Sequence, residues 1–124
     1  YEKFEMDTTD LLILVQLKDS YLKISTIVES IKSFNSKYFN TQKIKISPMF
    51  MNGFGILQMK KFENFISAKK YYDKITEKPD EAIGKANVEK ANFYIISPAN
   101  FKLIKTIKDF DSYIEYYKDN YLKL

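Results

Sequence analysis

Ile44-Lys45-Ile46-Ser47-Pro48-Met49-Phe50-Met51-Asn52-Gly53-Phe54-Gly55-Ile56-Leu57-Gln58-Met59-Lys60-Lys61-Phe62 reads as two strands folded back on one turn. Asn-Gly is the strongest short hairpin signal, because both central residues of a two-residue turn need φ > 0. A two-residue turn fixes the register. Ile46 then faces Met59, Pro48 faces Leu57 and Phe50 faces Gly55 on one side of the ribbon. On the other side Lys45 meets Lys60, Ser47 meets Gln58, Met49 meets Ile56 and Met51 meets Phe54. Pro48 has no N–H to give to a ladder, so its strand belongs at a sheet edge.

Upstream, Leu11-Leu12-Ile13-Leu14-Val15-Gln16-Leu17 is an unbroken apolar run, the mark of a strand covered on both faces. Asp19 or Ser20 can cap a following helix, whose apolar stripe is Ile24, Ile27, Val28, Ile31, Phe34 and Tyr38. Asn40 and Thr41 end it. Residues 1–10 are polar without a period and read as a linker or N-terminal extension that frays.

Downstream of the hairpin, a second helix spans about 64–77 and buries Phe65, Ala68, Tyr72 and Ile75. Pro79-Asp80-Glu81 breaks it. A polar connector with a helical turn around 82–86 leads to a strand at Phe93-Tyr94-Ile95-Ile96, stopped by Ser97-Pro98. A short helix over 99–106 and a last one over 110–121 follow. The last helix carries Phe110, Tyr113, Ile114, Tyr117 and Tyr121 on one stripe, with Asp109 as its cap.

The order β-α-β-β-α-β is the split βαβ, or ferredoxin-like, arrangement. The expected fold is therefore α+β: one ferredoxin-like domain over 11–124, sheet order 4-1-3-2, with two additional C-terminal helices. That order puts Pro48 on an edge and the apolar run of the first strand in the middle. The first and last strands are apolar at both alternations, so a second lid is needed. The terminal amphipathic helix is expected to supply it.

The chain has 124 residues, enough for one domain, and lacks His, Cys and Trp; all 20 basic residues are Lys. Imidazole bases, thiolate nucleophiles and nitrogen or sulfur ligands for zinc or iron are thereby excluded. Catalysis would have to run on carboxylates, Lys, Tyr or Ser, so the expected protein is non-enzymatic, with no cofactor and no metal. Asp109, Asp111 and Glu115 lie near one helix start, where the helix dipole favours them without any catalytic role. No Gly-rich phosphate loop is present. The many tyrosines of the last helices read as packing residues.

The net charge is +4, and no acidic residue stands between Glu29 and Glu63, a window holding Lys32, Lys37, Lys43, Lys45, Lys60 and Lys61. A one-signed patch suits an anionic partner, although a Lys-rich composition alone also produces one. The hairpin face with Lys45, Met49, Met51, Phe54, Ile56, Gln58 and Lys60 is the candidate partner-binding surface. Adaptable Met beside an aromatic anchor and a basic rim fits a protein partner. No apolar run approaches the ~20 residues of a membrane span.

Three resemblances bear on function. Asn52-Gly53-Phe54-Gly55-Ile56-Leu57-Gln58-Met59 resembles the third-strand signature of RNA-recognition motif domains, which would imply single-stranded RNA as ligand. Here Ile56 and Ile13 stand at two of the three stacking positions, which ranks nucleic acid below a protein partner.

Phe62-Glu63-Asn64-Phe65-Ile66-Ser67-Ala68-Lys69-Lys70-Tyr71-Tyr72-Asp73-Lys74-Ile75 resembles the second helix of the C-terminal domain of tetratricopeptide-repeat lipoproteins of the Bacteroidetes type IX secretion and gliding-motility apparatus. Tyr94-Ile95-Ile96-Ser97-Pro98-Ala99-Asn100-Phe101 and the segment from Phe110 to Leu122 are similar to that domain's ending. The resemblance implies a periplasmic, outer-membrane-associated parent that docks on protein partners in the cell envelope. The start at Tyr1 agrees with a piece of a longer protein whose anchor lies upstream. Val15-Gln16-Leu17 and the stretch from Ile56 to Ala68 also resemble sporulation-related repeat (SPOR) domains, which implies peptidoglycan as an alternative ligand. The Arg, Gly and Pro of the SPOR motif are missing here.

Overall fold

β-Branched and aromatic residues concentrate in four segments, and these pair into one antiparallel sheet. A computed structural model of the chain describes residues 3–18, 23–51 and 53–123. In it β1 (Thr9–Leu17), β2 (Lys45–Met51), β3 (Phe54–Asn64) and β4 (Ala91–Ile96) lie in the order β2-β3-β1-β4. The hairpin register runs Lys45 opposite Lys60, Ser47 opposite Gln58, Met49 opposite Ile56 and Met51 opposite Phe54. Asn52 lies outside the described residues, while Gly53 holds the φ of +88° that the turn requires.

Helices α1 (Ile24–Tyr38) and α2 (Phe65–Glu77) cover one face. Ile27, Ile31 and Phe34 of α1 and Ala68, Tyr71 and Ile75 of α2 are buried. Each large apolar side chain so buried is worth about 1.5–3 kcal/mol. α1 approaches closely at Gly55, where a Cβ would stand 2.8 Å from Ile24 Cδ1. Tyr71 was not on the expected stripe, yet its ring packs on Phe34, Phe39 and Phe62. Tyr72, expected in that place, is half-buried and meets Tyr117 from the other side.

The connector after α2 is more ordered than its polarity suggests. Pro79 opens the short helix α3 (Pro79–Ile83) instead of only ending α2, since proline is tolerated at a first helical position. A 3₁₀ turn over Lys85–Lys90 then leads into β4. Glu81 of α3 ties back to α1, accepting from the Tyr38 hydroxyl at 2.5 Å and pairing with Lys37 at 2.9 Å. The Tyr38 bond first, then Lys37, holds its carboxyl below the usual range.

The opposite face receives α4 (Pro98–Lys102) and α5 (Ile107–Asp119). α5 starts three residues before the expected 110, and its cap is Thr106, not Asp109. Asp109 is the third helical residue of a reciprocal capping box: Thr106 Oγ1 accepts from the Asp109 N–H, and Asp109 Oδ2 accepts from the Thr106 N–H, both at 3.1 Å. Lys3 at 2.7 Å, with the Lys105 N–H, lowers the Asp109 carboxyl to about 2. Asp19 and Ser20, the expected caps of α1, lie outside the described residues. The Lys23 side chain at its N-cap position makes no capping bond.

Residues 3–8, expected as part of a linker, lie against the domain. Phe4 is buried edge-on against Tyr113 at 5.1 Å between centroids. The Asn100 amide imitates a strand neighbour for Glu5, donating to its carbonyl at 2.7 Å and accepting from its N–H at 3.0 Å. The Tyr121 hydroxyl donates to the Asp7 carbonyl at 2.6 Å. The polar composition hid one aromatic anchor and two backbone clasps.

Candidate functional site

Strand alternation assigns the two faces, since residues directly opposite share a side. Leu12, Leu14 and Gln16 of β1 share a face with Ile56 and Gln58 of β3 and with Tyr94 and Ile96 of β4. This is the face that α4 and α5 approach. Phe110 packs edge-on against Phe54 at 5.3 Å, and Tyr94 stands 6.1 Å from Phe110 and 5.8 Å from Tyr117. The Tyr113 hydroxyl donates to the Ile95 carbonyl at 2.5 Å, which ties α5 to the outer strand β4. The second lid thus sits over the β1–β4 half of the sheet.

Its placement divides the seven residues expected to form the partner-binding face. Phe54 and Ile56 are 2% and 0% exposed, so neither can touch a partner. This is a correction: Phe110 occupies the space over Phe54, and an apolar residue on an inner strand gains more from that helix than from water. The remaining five stay accessible, with Lys45 exposed and Met49, Met51, Gln58 and Lys60 half-buried. Gln58 Nε2 lies 3.0 Å from Met49 Sδ, joining the two strands across this strip. Phe54 is also the one aromatic among the three stacking positions of the RNA-recognition resemblance. With it under Phe110, no ring is offered to a base from that position.

Beside the strip lies a cavity of about 460 Å³, lined by Asp10, Leu12, Gln58, Lys60, Pro98, Phe101 and Lys102. β1 supplies the buried floor at Leu12, β3 contributes Gln58 and Lys60, and α4 forms the far wall. α4 is positioned by Ser97, whose Oγ accepts from the Asn100 N–H at 3.1 Å, and by Pro98 in its first turn. At the mouth, Asp10 has φ +52°, a left-handed conformation that Asp tolerates better than most residues. The β1–β3 register also slips between Leu11 and Ile13 there. A bulge of this kind bends a strand and re-aims its side chains.

Sequence reasoning reached Gln58 and Lys60 but missed Asp10, Leu12, Phe101 and Lys102. Those four come from the start of β1 and from the helix after β4, segments that meet only once the sheet has formed. The Ser97-Pro98 helix start was the one local signal pointing there.

Lys45, Lys60 and Lys102 enter no ion pair among the described residues. Among those residues, too, no three acidic side chains gather into a group able to hold a metal ion. No described helix is long and apolar enough to cross a membrane. What the arrangement offers chemically is a half-covered sheet face: thioether and amide groups in a strip, lysines at its rim, and one concave apolar pocket. No family model matches the chain, and neither a curated protein nor a solved structure matches it.

Proposed function

We propose that this chain is a non-catalytic docking domain of a larger cell-envelope lipoprotein. Its partners would be protein components of a secretion and gliding apparatus on the periplasmic side of the outer membrane. The setting rests on the resemblance carried by Phe62–Ile75, Tyr94–Phe101 and Phe110–Leu122. In the same reading the sheet is ferredoxin-like, which the order β2-β3-β1-β4 and the two helical crossovers support.

One observation carries the docking role. The C-terminal helices bury Phe54 and Ile56 but leave Met49, Met51, Gln58, Lys45 and Lys60 accessible on the same face. Thioether side chains adapt to varied partner shapes, and a cationic rim steers an oppositely charged surface toward them.

The test uses the tagged chain cross-linked in an envelope fraction, comparing the native sequence with Lys45→Glu and Met51→Glu. Both substitutions lie on accessible side chains of an edge strand, so the fold should persist, which circular dichroism verifies. Recovery of cross-linked partner should drop at least fivefold for each variant. Equal recovery from all three proteins would remove this face as the docking surface.

A further inference from the structure

Three features of the 460 Å³ cavity and its rim bear on what it can receive. The first is an unrelieved like-charge pair. Lys45 and Lys60 stand directly opposite each other on β2 and β3, an arrangement that repels and destabilises a strand pair. Lys102 of α4 lines the cavity that Lys60 also lines, and none of the three lysines enters an ion pair among the described residues. The second is the distortion at the mouth, where Asp10 adopts φ +52° beside the register slip of β1. Strain of this sort collects where a strand is shaped for a ligand. The third is the lining: Leu12, Pro98 and Phe101 are apolar, while the charges sit around them. Apolar walls with a few placed polar groups are the usual make-up of a binding pocket, and the volume falls in the usual range.

We infer that this cavity receives one apolar side chain of an acidic peptide segment, whose neighbouring carboxylates reach Lys60 and Lys102. The inference rests on the docking reading and names the partner's chemistry. Charge decides the occupant: the cavity and its neighbour Lys45 carry three cations against the single carboxylate of Asp10. A continuous chain suits the site better than an isolated small anion. The cavity runs into the Met49–Met51 strip through Gln58, whose amide bridges to Met49. The Gln58 side-chain carbonyl can accept a peptide N–H, which fixes an extended segment along β3. A peptide is also favoured over nucleic acid. Lysine attracts phosphate equally well, but single-strand binders add to their cationic groove aromatic faces on which successive bases stack, and here Phe54 is covered. Phe101 is the one ring in the cavity wall, and it is half-buried.

The experiment is an amide-resolved NMR titration of the whole chain with the blocked tripeptide Asp-Phe-Glu, against Asn-Phe-Gln, Lys-Phe-Lys and oligo-uridylate. Saturable shifts should cluster at Leu12, Gln58, Lys60, Phe101 and Lys102. The neutral peptide should bind roughly threefold or more weakly, as expected for losing rim-exposed charge contacts. Lys102→Glu, at an exposed helical position, should weaken the acidic peptide at least fivefold and strengthen Lys-Phe-Lys, with the rest of the spectrum unchanged. Shifts at these amides that ignore peptide charge would overturn the inference, as would tighter binding of oligo-uridylate at the same amides or no shift around the cavity. Failure here is separable from failure of the docking reading. If Lys45→Glu and Met51→Glu abolish partner cross-linking while the cavity amides ignore the acidic peptide, the face docks a partner and the cavity does not read its charge.

Discussion

Tyr71 shows how one buried polar atom constrains this core. Its side chain is fully buried among Phe34, Phe39 and Phe62, and its hydroxyl donates to Asn35 Oδ1 at 2.6 Å. Burial pushes the phenol well above its ordinary 10, so at neutral pH the group is a protonated donor. Tyr71→Phe keeps the ring contacts but strips Asn35, itself 8% exposed, of this donor. The variant should lose about 1–3 kcal/mol of unfolding free energy in a urea titration, the usual cost of stranding a buried acceptor. The double variant Tyr71→Phe/Asn35→Leu should recover part of it. No measurable loss in the single variant would mean that the bond contributes nothing. The choice between Tyr71 and Tyr72 was not legible in the sequence, because both sides of α2 are packed. A stripe analysis assumes one buried face, and here Tyr117 of α5 claims the second.

Pro48 plays a corresponding part for β2. In a two-residue hairpin the residues flanking the turn form a doubly hydrogen-bonded pair, and such pairs alternate along the ribbon. Starting from Met51 and Phe54, the bonded pairs include Met49–Ile56 and Ser47–Gln58. Pro48 falls between them, where its nitrogen faces away from β3. It costs the ladder no bond and removes a donor from the open edge in mid-strand, a common way of blocking strand addition. At the other edge, the Tyr113 hydroxyl bonded to the Ile95 carbonyl keeps α5 against β4. Pro48→Val should therefore leave the monomer at least as stable while promoting self-association, seen as concentration-dependent sedimentation at tens of micromolar. A variant that stays monomeric across that range would show that Pro48 does not guard the edge. This strand was the most legible part of the chain, since Asn52-Gly53 and Pro48 each constrain it locally. The start of α5 was less so: Thr106-Ile107-Lys108-Asp109 carries a capping-box pattern, but Asp109 before Phe110 offered a competing cap. The cavity between β3 and α4 was legible only at Gln58, Lys60 and the Ser97-Pro98 helix start, because its other walls, Asp10, Leu12, Phe101 and Lys102, come from segments far apart in sequence.

Taken together, the two lids enclose an unusual core, in which phenols replace much of the aliphatic packing on the α5 side. Tyr94, Tyr113 and Tyr117 form a ring cluster with Phe110, and Tyr121 closes it against Tyr117 at 6.0 Å. Burial raises the pKa of each of these four hydroxyls, that of Tyr121 to about 12. The sign of the linkage follows from the neutral form being the buried one. These phenols bind their protons more tightly folded than unfolded, so their contribution is complete below the unfolded value near 10 and is lost as pH rises through the folded values. Alkali should thus open the molecule from the α5 side. A titration followed at once by phenolate absorbance and circular dichroism should show the buried phenols of the α5 side ionising well above the ordinary value near 10, steeply and together with loss of the helix signal. One smooth phenolate transition near 10, complete while the helix signal persists, would mean that the rings are wet and that α5 does not seal the second face of the sheet.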